Sequence, residues 1–362
     1  MEILCLDAGS SSLKFAAYRL EKGESDLALI AAGSELATPD ADAALGGVIA
    51  RVHAGAEGSF AAVGHRIVFG GRAYVEPTLV DDDVLGGLEQ FIGIAPLHLR
   101  AELDLVHAVR RRIPTVPQIL CFDTAFHMRS PAIARRLPLP RDIDPLVQRY
   151  GFHGLSYEYV VSELHDRRPM VIAHLGAGAS LCAVRDGLPV DTTMGFSPLG
   201  GLMMATRPGD LDPGILLRLL EGGYDFKGLS DLLYNRSGLL GVSGSSADMK
   251  TLLSRSAGDP FARAAIELFV YQLVKQLGAM IAVLGGVKAL VFTGGIGERA
   301  AAIRTDVCAA FAYMGLRLTD AANVRNERTI SDRQSSIAVM VVPTDENLMI
   351  ARHALTRLKK DS

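Results

Sequence analysis

The sequence predicts an α/β fold in two domains, and three features carry that expectation. At 362 residues the chain suits two cores of roughly 150 residues each better than one. Short apolar runs alternate with longer stretches whose apolar residues recur at the helical period, the pattern of sheets covered by helices. A strand, Ala-Gly-small-Ser-Leu turn, strand arrangement also occurs twice, as "LDAGSSSLKFAAYR" (6–19) and "LGAGASLCAVRDG" (175–187), as a duplicated domain would produce.

The elements follow in chain order. Runs 3–7 and 13–18 flank a small-residue turn and read as a hairpin. Runs 118–122, 171–175, 181–184, 289–292 and 337–342 are further strands, several of them apolar throughout. Helical periodicity marks 99–111, 212–220 with Pro213 in its first turn, 260–284, 298–314 and 346–358. "PLPRDIDP" (138–145), rich in proline and charge, is the most linker-like stretch and lies between the two copies of the repeat.

Composition narrows the function classes. With 49% hydrophobic residues, 21% charged residues and 37 glycines, the chain reads as a soluble, turn-rich globular protein. A net charge of −3 with both signs interspersed offers no field for nucleic acid or an anionic membrane, which leaves small ligands and other proteins. Cys5, Cys121, Cys182 and Cys308 stand apart, without metal or redox spacing, as core thiols of a reducing compartment would. "MEILCLDAG" has neither a basic segment before its apolar run nor a cleavage pattern, and the apolar stretch 279–292 is interrupted by Gly285, Gly286 and Lys288. The expected address is the cytoplasm.

The chemistry gathers at turns. Gly9, Ser10, Ser11 and Ser12 expose backbone N–H groups and hydroxyls, Lys14 adds a positive rim, and Asp7 ends the first strand where an oxygen ligand for a phosphate-bound metal would lie. This is no Walker loop, because the element after it is a strand. Two more glycine turns follow apolar strands, in "VIAHLGAGAS" (171–180) and "LVFTGGIGERA" (290–300), the second opening a helix whose N-terminus favours an anion. Polar groups collect in "GHRIVFGG" (His65, Arg66), "PLHLR" (His98), "CFDTAFH" (Asp123), "YGFHG" (His153) and "MATRPGD" (Arg207), beside glycines, prolines and strand ends. Singly, each is equally well a tight turn, a structural histidine or a surface arginine; together they fit a polyphosphate site facing a phosphoryl acceptor.

These stretches, with "APLH", "DTTMGFSPLGGLMMATRPGDLDP", "SGLLGVSG" and "PTDENLMIAR", resemble the acetate and propionate kinase family, within the superfamily of actin, sugar kinases and heat-shock chaperones. The resemblance implies two duplicated ribonuclease-H-like domains around a central cleft that closes by a hinge, with the final helix folding back on the first domain, so that the expected domains are 1–145 plus 348–362, and 146–347. It implies reversible, Mg²⁺-dependent transfer (Mn²⁺ as a substitute) between ATP and acetate, giving ADP and acetyl phosphate, in a homodimer. By the same resemblance Asp7 and Glu346 match metal positions, and Ser10, Ser12 and Lys14 the first phosphate loop. His174, Leu175, Gly176, Ala177 and Gly178 match the second phosphate loop, while Asp248, Met249, Lys250, Gly295, Ile296, Gly297, Glu298 and Arg299 lie where the family binds adenosine. Arg66 matches the carboxylate-binding arginine and Asp123 the catalytic aspartate; His153 and Arg207 match the groups around the transferring phosphoryl. Val68, Leu97, Phe152 and Pro198, with His98, match the acyl pocket.

The residues agree with that picture on physical grounds. A carboxylate attacking a polyphosphate needs cations around the in-line oxygens, and its own ionisation makes a general base unnecessary, so Asp123 is expected to orient an arginine or the metal and its waters. The chain departs from the family in carrying Asp7 and Ala177 where Asn is usual, Met249 and Lys250 for Phe and Arg, and Arg299 for Asn. Most of these changes touch the nucleotide, which keeps another nucleotide or pyrophosphate open as donor. Propionate or butyrate as acceptor, a member that has lost nucleotide binding, and an ATP-driven assembly protein are the other readings.

Overall fold

A computed structural model describes residues 1–9, 12–21, 26–36, 40–53, 60–94, 98–144 and 146–361. Ser10 and Leu97 lie outside the described residues. The chain divides into two compact units, one of Met1–Met128, Phe152–Tyr159 and Asp345–Ser362, the other of Arg129–Gly151 and Val160–Thr344.

Unit 1 is built on six strands: β1 (Glu2–Ala8), β2 (Ser12–Leu20), β3 (Leu27–Leu36), β4 (Ala62–Ile67), β5 (Thr78–Leu79) and β6 (Gln118–Phe122). Their order in the sheet is β3-β2-β1-β4-β6-β5. β1 to β3 form an antiparallel meander, whereas β4 runs parallel to β1 and β6 parallel to β4. β1 is buried along its whole length, as its unbroken apolar run requires. One face of the sheet packs under the helices Ala41–His53 and Leu99–Arg112, with Leu4, Leu6, Phe15, Leu45, Val48, Leu105 and Val109 in the core. The other face packs Ile3, Cys5, Tyr18 and Cys121 against Ile350, Ala351 and Ala354 of the final helix, Glu346–Asp361. Contact there is close: a methyl on Gly64 of β4 would sit 2.4 Å from Ile350 Cγ2.

Unit 2 carries β7 (Met170–Leu175), β8 (Ala179–Arg185), β9 (Leu188–Thr192), β10 (Ala289–Thr293) and β11 (Ala338–Val341) in the order β11-β10-β7-β8-β9. Here too a three-strand antiparallel meander meets two strands parallel to its first. Read from the meander edge, this sheet and the first five strands of the other have the same order and directions. The repeated turn seen in the sequence lies between equivalent strands, β1 and β2 in one sheet, β7 and β8 in the other. The two units are therefore the mixed, helix-flanked sheets of the expected duplicated α/β fold.

All seven expected strands are present, but four others escaped the reading. β4 is the instructive one: "AVGHRI" has a glycine and two polar residues in six, yet it sits between two strands with only Arg66 short of full burial. β3 and β9 lie at sheet edges, and β5 pairs through two residues. The expected helix 298–314 is not continuous. It breaks at Ala300 (φ −96°, ψ 78°) between Gly294–Arg299 and Ala301–Ala309 and ends in a 3-10 turn at Ala312–Met314.

The 24-residue helix Pro260–Val283 is long and apolar enough by composition to cross a membrane. It nevertheless buries one stripe, Ala262, Ala265, Ile266, Phe269, Leu273, Leu277 and Met280, at helical spacing, and packs on β8 and β9, the behaviour of a domain-core helix. All four cysteines are buried and free, and burial raises their thiol pKa values, so they are inert core residues.

Candidate active site

In unit 1 the parallel strands β1, β4 and β6 bring their carboxyl ends to one edge, the place where ligands of open α/β sheets bind. Asp7 is the penultimate residue of β1, Arg66 lies near the end of β4, and Asp123 follows β6, held there by its N–H to the Ile67 carbonyl at 2.9 Å. Arg66 is the centre of the group. Its Nε and Nη2 donate to Asp123 Oδ2 at 2.9 and 2.6 Å, and its Nη1 lies 3.2 Å from Glu102 Oε1 and 3.5 Å from Asp7 Oδ1. Lys14, opposite Asp7 in the β1–β2 register, reaches Asp7 Oδ2 at 3.8 Å from a largely exposed position. Glu346, half-buried in the first turn of the final helix, feels the same field.

These groups carry more negative than positive charge. Loss of solvent, with Asp123 and Asp7 nearby, pushes the Glu346 carboxyl up to about 7 despite Arg66 and Lys14. Burial likewise raises Asp123, against the pull of Arg66. Burial pushes Glu102 up to about 8, opposed by Arg66 and the Val68 N–H; donors face both of its oxygens, the arrangement of an ionised carboxylate. Asp123 Oδ1 is buried without a hydrogen-bond partner. An excess of hard oxygen donors with one orphaned carboxylate oxygen fits a divalent cation. Among the described residues no three acids, histidines or cysteines are already gathered as a metal cage.

The same strand ends carry the apolar residues. Val68, just beyond β4, is buried, and its N–H donates to Glu102 Oε2 at 2.9 Å. Phe152 is buried, with its carbonyl 2.8 Å from His127 Nε2. His153 holds a left-handed conformation at φ 58°, and Gly154 donates its N–H to the Asp123 carbonyl at 2.9 Å. Only glycine allows that approach, since a Cβ at 154 would stand 2.2 Å from the Asp123 oxygen. The spacing "YGFHG" thus reflects a backbone clamp that carries Phe152 and His153 on the Asp123 turn. His98 stands at the N-cap of the helix Leu99–Arg112, its carbonyl accepting the Glu102 N–H at 3.0 Å. Ser12 opens β2, its carbonyl accepting the Gly9 N–H at 2.8 Å.

Unit 2 gathers the second set. A cavity of about 810 Å³ is lined by Gly176, Ala177, Asp248, Met249, Lys250, Gly295, Ile296 and Arg299 among the expected residues, joined by Leu253 and Asn326. Met249, Leu253 and Ile296 supply apolar wall; Lys250 and Arg299 supply positive charge. Asp248 caps the helix Met249–Arg255 through Thr251, whose hydrogen bonds hold its carboxyl below the usual range. Arg299 lies over the backbone of Gly295, where a Cβ would come within 2.6 Å of Nη2. His174 and Leu175 end β7 beside the cavity turn, with His174 paired to Thr293 and Ser180 across the sheet. Gly178 accepts the Gly176 N–H through its carbonyl at 2.9 Å, Gly297 is buried under the glycine turn, and Glu298 Oε1 accepts the Thr344 N–H at 3.3 Å. Elsewhere in this unit Arg207 Nη1 donates to the Pro198 carbonyl at 2.8 Å, which brings those two expected residues together.

Two contributors went unread in the sequence. Arg304, fully buried, donates to Gly297 O at 2.8 Å and Asn326 Oδ1 at 2.6 Å, tying the glycine turn to the cavity wall. Glu102 holds Arg66 and Val68; its signal was an acid at an apolar register position of the helix beginning at Leu99.

The profile of the Acetokinase family matches residues 2–352. An acetate kinase of Rhodopseudomonas palustris is 44% identical over 389 aligned positions, which cover 97% of each protein. The crystal structure of Porphyromonas gingivalis acetate kinase superposes with a TM-score of 0.87 at 33% identity, covering 99% of both chains. A propionate kinase from Francisella tularensis does so at 0.86 and 31%, covering 98% of this chain and 99% of its own. With a carboxylate-facing arginine in one unit and a nucleotide-sized cavity in the other, the chain belongs to the acetokinase family, kinases whose phosphoryl acceptor is a carboxylate.

Proposed function

We propose that this chain transfers the γ-phosphoryl of ATP to acetate by direct in-line displacement, and catalyses the reverse. An acetate oxygen forms the new O–P bond as the bond to the ADP oxygen breaks; acetate is already ionised, so no proton moves. The observation that carries this reading is Arg66, oriented by Asp123 at the ends of parallel strands and two residues from buried Val68. A fixed cation beside an apolar wall suits a small carboxylate.

In this reading Arg66 holds the acetate carboxylate, and Val68, Leu97, His98, Phe152 and Pro198 are the residues assigned to its methyl group. His153, Arg207 and Lys14 offset charge on the transferring phosphoryl, while Ser10 and Ser12 donate to phosphate oxygens. Asp123 orients Arg66. Asp7 and Glu346 would hold Mg²⁺, which when bound neutralises polyphosphate charge. The residues from His174 to Gly178, from Asp248 to Lys250 and from Gly295 to Arg299 hold the nucleotide. A cavity of about 810 Å³ with apolar wall supports a nucleoside; pyrophosphate would leave that wall unused. The proposal includes a cytoplasmic address.

The test is a hydroxamate assay offering acetate, propionate and butyrate with ATP, GTP or pyrophosphate and Mg²⁺. Acetate with ATP is expected to give the highest kcat/KM. Propionate should follow within about 10–200-fold, because one methylene in an apolar pocket discriminates no further. Activity restricted to pyrophosphate would overturn the donor half and leave the acyl half standing.

The proposal also includes a homodimer. The helices Pro213–Glu221 and Phe226–Asn235 pack on each other and bury no residue within the chain, and their Leu217 and Phe226 are 64% and 86% exposed. A second copy would cover this apolar face. Sedimentation equilibrium should find a dimer that Phe226→Asp weakens at least tenfold; a wild-type monomer at micromolar concentration would sink this part.

A further inference from the structure

Glu102 is a buried carboxylate on the apolar face of the helix Leu99–Arg112, in the company of buried Leu99, Leu103 and Val106. Such a placement is strongly unfavourable unless both oxygens are satisfied. They are, and by two residues that the proposed acyl site uses for its two ends. Oε1 accepts from Arg66 Nη1 at 3.2 Å, and Oε2 from the backbone N–H of Val68 at 2.9 Å. Asp123 engages the Nε and Nη2 edge of the same guanidinium, so Glu102 is the partner that restrains Nη1 and, through its other oxygen, the main chain two residues on.

We propose that Glu102 is a positioning residue for the acyl substrate, setting the distance between the arginine that takes its carboxylate and the residue that walls off its methyl group. The inference rests on the reading of Arg66 and Val68 given above. One rigid planar group spans both contacts, and the helix that carries it is anchored in the core by Leu105 and Val109. A shift of the helix or loss of either contact would move clamp and wall independently.

The two contacts can be separated. Glu102→Gln keeps an acceptor for the Val68 N–H and removes the charge from Arg66. Glu102→Met keeps much of the volume and removes both. Steady-state kinetics with acetate and propionate should show the acetate KM raised about tenfold in Glu102→Gln, with kcat and the ATP KM within twofold of wild type and the acetate-to-propionate ratio of kcat/KM unchanged. Glu102→Met should raise the acetate KM at least as much and also move that ratio several-fold towards propionate as the Val68 wall relaxes. Arg66→Lys is the control, expected to raise the acetate KM more than either. A raised acetate KM in Arg66→Lys beside an unmoved one in Glu102→Gln would overturn the role of Glu102 alone. An unmoved KM in Arg66→Lys would overturn the reading beneath it. Equal changes in the acetate and ATP KM values, or a fall in kcat alone, would reduce Glu102 to a structural residue; if Glu102→Met fails to fold, the Glu102→Gln result decides.

Discussion

Replacing Arg66 by alanine is expected to abolish measurable acyl phosphate formation and to lower the unfolding free energy by about 3–5 kcal/mol. The guanidinium is 13% exposed and faces Asp7, Glu102 and Asp123, whose side chains are 9%, 0% and 1% exposed. Its loss leaves buried Glu102 and Asp123 without a cation and Asp7 with only the largely exposed Lys14. Burial already raises Asp123 and Glu102, and removing Arg66 removes the main opposing pull on both. A carboxyl whose folded pKa lies above its unfolded value stabilises the fold only while protonated, and that contribution is lost as pH rises through the folded pKa. The deficit of Arg66→Ala should therefore be small near pH 5 and full near pH 8. Thermal melts at the two pH values check this, and a wild-type midpoint at pH 8 would contradict the central place given to Arg66. The milder Arg66→Lys keeps a charge but lacks the fork; its kcat/KM for acetate should fall about 10²–10³-fold.

The second large effect is expected at Asp123, with activity and stability moving apart. Asparagine at 123 keeps the shape and an oxygen that accepts from Arg66, and it removes one charge from a region that has too many. Turnover should fall about 10²–10³-fold, because Arg66 loses the carboxylate that fixes its fork. The melting midpoint should hold or rise, since repulsion among Asp123, Asp7 and Glu346 is relieved and Glu346 falls from about 7 towards its ordinary value. The pH profile of kcat should keep its shape, as no proton is taken from acetate. Near-normal turnover in Asp123→Asn would refute the orienting role; loss of the acidic limb of the profile would mark Asp123 as a base.

The site was legible in proportion to how local its signals are. Turns such as Gly9–Ser12 and Gly294–Gly297 advertise themselves, because small residues and glycine between apolar runs have few other uses. Arg66 stood out by its neighbours Gly64 and His65, although the strand beneath it went unread for the same reason: polar residues mask a strand that is buried by its position between two others. Glu102 was invisible as a functional residue because its partners lie 36 and 34 positions away in the sequence. The break at Ala300 inside an apparently continuous helical pattern likewise has no local marker as strong as a proline.

The sequence by itself determined the two-fold α/β plan, the strand cores, the phosphate-type turns and the set of residues from which a site is drawn. Those follow from hydrophobic period and turn chemistry, which act over a few neighbouring residues. The tertiary structure alone decided which of these residues meet. Parallel pairing of β1, β4 and β6 places Asp7, Arg66 and Asp123 at one sheet edge, and the packing of the Leu99 helix turns Glu102 inward onto Arg66. Such meetings depend on strand order and helix docking, which are properties of the assembled core and are written in no single stretch of the chain.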